Sequence, residues 1–136
     1  MGPVAASFST LPSFLSYFAG GVVLIAAFLV LYIHATPHKE IALIREGNVA
    51  ASVALVGALL GFVAPLAMVI ARSASLVDLL VWGLIALVVQ LGGYFVARLV
   101  IPGLSPAIAG GKVSDAVFVA GLSLALGILD AACMSG

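Results

Sequence analysis

The stretch VAASVALVGALLGFVAPLAMVIA, residues 49–71, decides the fold. It carries no charged residue, and it is long enough for a helix to cross a bilayer core, which takes about 20 residues for about 30 Å. Its apolar positions do not alternate with polar ones, so it does not read as a barrel strand. A helix satisfies its own backbone hydrogen bonds within lipid, which makes it the natural form for such a run.

Working outward, three more runs meet the same test, at about 14–35, 77–100 and 113–134. The breaks between them hold polar or helix-breaking residues: His34 to Glu40, Arg72 to Ser75, and Pro102 to Pro106. Composition agrees with this reading. The chain of 136 residues is 65% hydrophobic and 7% charged, where soluble domains hold about 25% charged residues. The expected fold is therefore an all-α membrane protein, a single domain of four transmembrane helices with lipid as part of its solvent. The first twelve residues contain no Lys or Arg, so the first run reads as a retained helix and not as a cleaved secretion signal.

Residues 37–46 read as a short helix lying in the interface. Thr36 is expected to cap it and Pro37 to occupy its first position. Lys39, Glu40 and Arg45 would face water, and Ile41 and Ile44 would face lipid. Asn48 is placed to cap the next span. Lys39, Arg45, Arg98 and Lys112 fall at one end of the bundle and Arg72 at the other. By the excess of positive charge in cytoplasmic loops, both termini are expected outside the cytoplasm.

Sliding the chain by 64 residues pairs Ile44 with Ile108, Gly47 with Gly111, Val49 with Val113, Val53 with Val117, Gly57 with Gly121 and Ala67 with Ala131. The expectation is two tandem two-helix repeats in the same orientation. Gly57 and Gly61 form a GxxxG pair, and Gly121 and Ala125 its small-residue counterpart. All four are expected at helix contacts, because small residues let backbones approach where lipid offers no hydrophobic drive.

The segment from Thr36 to Ala51, TPHKEIALIREGNVAA, resembles the signature of the bacterial family called domain of unknown function 350, the YjfL-like small inner-membrane proteins. So do Gly61 to Leu66, Trp82-Gly83 with Gln90, and Gly127 to Met134. The resemblance covers roughly residues 12–135. It implies a multi-pass protein of the bacterial inner membrane and no established reaction. The family usually has Asn where this chain has Asp130, and a small residue where it has Asp115.

The polar residues within the spans are few. Gln90 and Tyr94 share a face of the third span, and Ser123 stands in line with Asp130 on the fourth. With Asp115 they could line a polar path, or they could each make a local hydrogen bond. Asp115 suits the first turn of its helix, where a carboxylate meets the positive dipole end. Asp130 would mark an ion pathway, as intramembrane acids do, or would be neutralised by water or Arg72. The second alternative is the expectation. Pro65 should kink the second span and free the Gly61 carbonyl.

His34 and His38 are four apart, but a proline lies between them and no acid or cysteine completes a metal site. No metal, cofactor or enzymatic activity is expected, since no nucleophile is partnered with a base and no phosphate loop is present. The balanced charge of five basic and five acidic residues argues against nucleic-acid binding. The single cysteine, Cys133, precludes an internal disulfide. The function expected is that of a homo-oligomeric channel or small-solute carrier component in contact with membrane lipids. A membrane scaffold for envelope partners is the alternative, and no protein partner is specified.

Overall fold

A computed structural model describes residues 2–36, 39–72 and 75–135. Four long helices account for most of them: α2 (Leu11–Ala35), α4 (Val49–Arg72), α5 (Leu76–Val100) and α7 (Val113–Ser135). Three helices of six residues accompany them: α1 (Pro3–Phe8), α3 (Glu40–Arg45) and α6 (Leu104–Ala109). All four long helices are long and apolar enough to span a membrane.

The element α6 was not legible as a helix, because Pro102, Gly103 and Pro106 read as a break. The chain instead turns at Gly103, whose φ of 77° is left-handed, and restarts at Leu104. Pro106 then falls in the first turn, where its missing N–H leaves no bond unmade.

The helix ends follow local chemistry. Ser75 caps α5 by accepting from the Asp78 N–H at 3.2 Å. Thr36, expected to start the interfacial helix, instead ends α2, its N–H donating to the Tyr32 carbonyl at 3.0 Å. The residue flanking α3 on its N-terminal side is Lys39, and Pro37 lies outside the described residues.

Both α3 and α6 stop in the same way. Gly47 and Gly111 adopt φ of 86° and 87°. Gly47 N–H donates to the Ile44 carbonyl at 3.0 Å and Asn48 N–H to Leu43 at 2.9 Å. Sixty-four residues later, Gly111 donates to Ile108 and Lys112 to Ala107, both at 2.9 Å. This pair of bonds around a left-handed glycine is the Schellman ending. Glycine tolerates that φ because it has no Cβ.

Asn48 then does two jobs. Its Oδ1 accepts from the Ala51 N–H at 3.0 Å and so caps α4. Its Nδ2 donates to the Ile108 and Ala109 carbonyls at 3.2 and 3.1 Å, tying the end of α6 to the start of α4. The two short helices α3 and α6 therefore sit at the same end of the bundle.

The centre of the bundle is α4, which buries far more of its residues than α2 does. Its closest neighbour is α7. Gly57 lies on Ala120, Gly61 on the Ser123 backbone, and Gly127 on the Gly61 backbone. The paired numbers rise together, so α4 and α7 run parallel. Pro65 is buried within α4, which continues through it to Arg72. The carbonyl of Gly61, deprived of the N–H that Pro65 lacks, faces Gly127. Gly121 and Ala125 do not take the expected place in this contact: both are exposed, and a Cβ on Gly121 would meet nothing within 4 Å. The face of α7 that meets α4 is the one bearing Ala120, Ser123 and Gly127.

On the other side of α4, α2 and α5 complete the bundle. Phe28 of α2 stacks on Phe62 of α4, with ring centroids 4.7 Å apart and planes 5° from parallel. Gly83 of α5 faces Leu24 of α2.

A buried polar cluster at the α3–α6 end

The candidate site grows from three residues that the core holds almost completely. Tyr32 near the end of α2, Glu40 at the start of α3 and Tyr94 in the last two turns of α5 are 1%, 0% and 1% exposed. The rings of Tyr32 and Tyr94 meet edge to face, 5.5 Å apart at 67°. Glu40 is near enough to act electrostatically on both tyrosines. The Ser105 side chain, buried on α6, lies beside the Tyr94 hydroxyl. The Arg98 guanidinium stands one turn further along α5, 5.9 Å from the centre of the Tyr94 ring. Thr36, also buried, closes the same end.

The inward turn of Glu40 corrects the expectation that it faces water. Of the charged residues flanking or within α3, Lys39 and Arg45 are exposed, while Glu40 faces the bundle. Ile41, expected against lipid, is exposed and so free to meet it. Tyr32, Glu40, Arg98 and Ser105 were absent from the sequence-based candidates. The four-residue spacing of Phe28 and Tyr32 on α2 and of Thr36 just past its end was the signal that could have found the first of them.

The other candidates fall into separate places. Gln90, 2% exposed, donates from Nε2 to the Ser123 carbonyl at 3.1 Å. Its Oε1 is buried beside Gly61 with no hydrogen-bond partner among the described residues. Ser123 is also buried. Gln90 and Ser123 thus form one polar layer between α4, α5 and α7, and Tyr94 belongs to the end cluster one turn away along α5. Asp115 is apart from both. It sits in the first turn of α7 and pairs with Lys112 at 3.9 Å, a side chain 65% exposed, and such surface pairs contribute little.

Asp130 is half-buried near the far end of α7, and its Oδ2 has no hydrogen-bond partner among the described residues. Of the two expected means of neutralising it, Arg72 or surface water, an ion pair with Arg72 is not present. Arg72 lines a small pocket with Met68, Asp78, Trp82 and Met134 instead. His34 turns back on its own helix, its Nδ1 lying 2.7 Å from the Val30 carbonyl, and His38 lies outside the described residues.

Residues 6–134 match the family described as Domain of Unknown Function (DUF350). The chain belongs to this family. It is 41% identical over 126 residues to the UPF0719 inner membrane protein YjfL of Escherichia coli strain K12, an alignment spanning 93% of this chain and 96% of that protein. The protein of the same name from Escherichia coli O157:H7 matches to the same extent. No solved structure matches. The family description gives no reaction.

Proposed function

We propose that this protein is a subunit of a homo-oligomeric channel or small-solute carrier in the bacterial inner membrane. The observation that carries the reading is the complete burial of Glu40 at the end of the bundle that also buries Tyr32 and Tyr94. Even a paired carboxylate is costly to take out of water, by several kcal/mol as an order of magnitude. A membrane protein that only needed to fold could place leucine there. The family relationship and the relative's description as an inner membrane protein support the location.

Several further features fit this reading. The matching ends of α3 and α6, with Gly47 and Gly111 in the same conformation, support a tandem duplication of a helix pair. Within one copy the centre is filled by the Phe28–Phe62 stack and the α4–α7 backbone contact. Copies of the chain would then assemble side by side. The open groove of Val53, Val56, Gly57, Ala120 and Gly121 offers a face on which they could meet. That same filled centre is what favours the scaffold alternative.

The excess of Lys and Arg at the α3–α6 end supports both termini lying outside the cytoplasm. A reporter active only in the cytoplasm should give no signal when fused to the C-terminus, and a strong signal there would reverse the orientation.

Flux into liposomes tests the function itself. The parent protein should carry protons or alkali cations faster than protein-free vesicles. Glu40→Gln should lower that rate at least about tenfold with the oligomer intact, as loss of a required charge costs. Asp115→Asn, which alters only a surface pair, should leave it unchanged. Parent protein indistinguishable from empty vesicles for every ion tried would leave the scaffold as the better reading.

A further inference from the structure

We propose that the pocket where α4 and α7 end and α5 begins holds the headgroup of one zwitterionic phospholipid, a phosphatidylethanolamine. The inference goes beyond the reading above and depends neither on transport nor on the α3–α6 cluster.

The first support is a shared space. Met68, Val69, Arg72, Asp78, Trp82 and Met134 line one cavity of about 140 Å³. A cavity of that order takes a benzene-sized group, so a headgroup can enter while the acyl chains stay outside.

Charge then selects the headgroup. The lining carries one cation, Arg72, and one anion, Asp78. A simple anion would be repelled by Asp78 and a simple cation by Arg72, whereas a ligand bearing both charges can match both. The guanidinium suits a phosphate, which it can hold with two parallel hydrogen bonds. A primary ammonium offers three N–H donors to a carboxylate, and a quaternary one offers none. Both side chains are exposed. With five N–H donors on one and two oxygens on the other, a bond made within the chain still leaves room for a ligand.

Position selects a lipid over a dissolved zwitterion. Arg72 is the last residue of α4, and Asp78 stands in the first turn of α5. Both therefore lie at the ends of spans, at headgroup level, where tryptophan is also favoured. Asp78, Trp82 and Ile85 are spaced by four and three residues and so share one face of α5. Trp82 and Ile85 are exposed. From the pocket, an apolar strip thus leads towards the middle of the span. An acyl chain can lie along it, and a water-soluble ligand has no use for it.

Thermal unfolding of the purified full-length protein in detergent tests the site. Dioleoyl phosphatidylethanolamine, phosphatidylcholine, phosphatidylglycerol and phosphatidic acid are added separately at equal mole fractions. Phosphatidylethanolamine should raise Tm by about 3 °C or more over each of the others, in a saturable manner. Arg72→Gln should abolish this preference. Asp78→Asn should remove the lead over phosphatidylglycerol, because the charge that repels an anionic lipid is gone, and it keeps the test open if Arg72→Gln does not fold. Lys112→Gln alters an exposed charge at the opposite end of the bundle and should retain the parent response.

Equal Tm with all four lipids, or a preference undiminished in both Arg72→Gln and Asp78→Asn, would overturn the assignment. A larger rise with phosphatidylglycerol or phosphatidic acid would overturn it in favour of an anion site. An equal or larger rise with phosphatidylcholine would overturn it in favour of the Trp82 ring as the group that meets the ammonium. Free phosphoethanolamine that matches the lipid at equal concentration would overturn the choice of a lipid.

Discussion

Gly127→Ala is expected to destabilise the folded bundle by about 3 kcal/mol, the upper end of the range for forcing an extra carbon into a packed core. The added methyl would run into the carbonyl, carbonyl carbon and Cα of Gly61. All three are backbone atoms of a central helix, so no side chain can rotate away to relieve the clash. Only separation of α4 from α7 makes room, and that separation would also loosen Gly57 from Ala120 and Gly61 from Ser123. Gly121→Ala and Gly92→Ala are the matched controls. A Cβ at either position meets nothing within 4 Å, and alanine is the better helix former by roughly 1 kcal/mol. Unfolding in detergent should therefore show a large loss for Gly127→Ala and a small gain or no change for the controls. A Gly127→Ala protein that melts with the parent would mean that these two helices are not in backbone contact.

Phe62→Ala has the second large expected effect, also about 3 kcal/mol. In a membrane the usual reason for such a loss is weakened, because lipid tails are as apolar as the phenylalanine ring. What remains is packing. Phe62 is 0% exposed and lies flat against Phe28, so truncation leaves a void that lipid does not reach. The atoms lining it lose their dispersion contacts, and the ring pair loses about 1 kcal/mol of its own. Phe62→Leu should restore about half of the loss by refilling volume without the stack. Equal stability of parent and Phe62→Ala in the same unfolding measurement would show that packing at this level does not hold α2 to α4.

Much of the architecture was legible in composition and run length. In lipid each span must close its own hydrogen bonds, so an uninterrupted apolar run implies a helix whatever it later packs against. The ends were legible for a similar reason. Asn48 lies directly before the apolar run and caps α4 with its own side chain, an interaction that needs no distant residue. The left-handed turn at Gly47 is equally local.

The facing of side chains was not legible. A soluble helix shows its buried side by the contrast between polar and apolar stripes. Within the membrane both sides of α7 are apolar, so its sequence does not say whether Gly121 or Gly127 meets α4. The fold chose the face bearing Ala120, Ser123 and Gly127 and left Gly121 open. Glu40 shows the same limit at the interface. Beside Lys39 and Arg45 it reads as part of a solvated face, yet it is completely buried, within electrostatic reach of Tyr32 and Tyr94. By itself the sequence determined that four helices span the membrane and where they end, because those outcomes depend on local hydrogen bonding and on length. Only the tertiary structure decided which side of each helix is inside, because that depends on where the neighbouring helices stand, which an all-apolar surface does not encode.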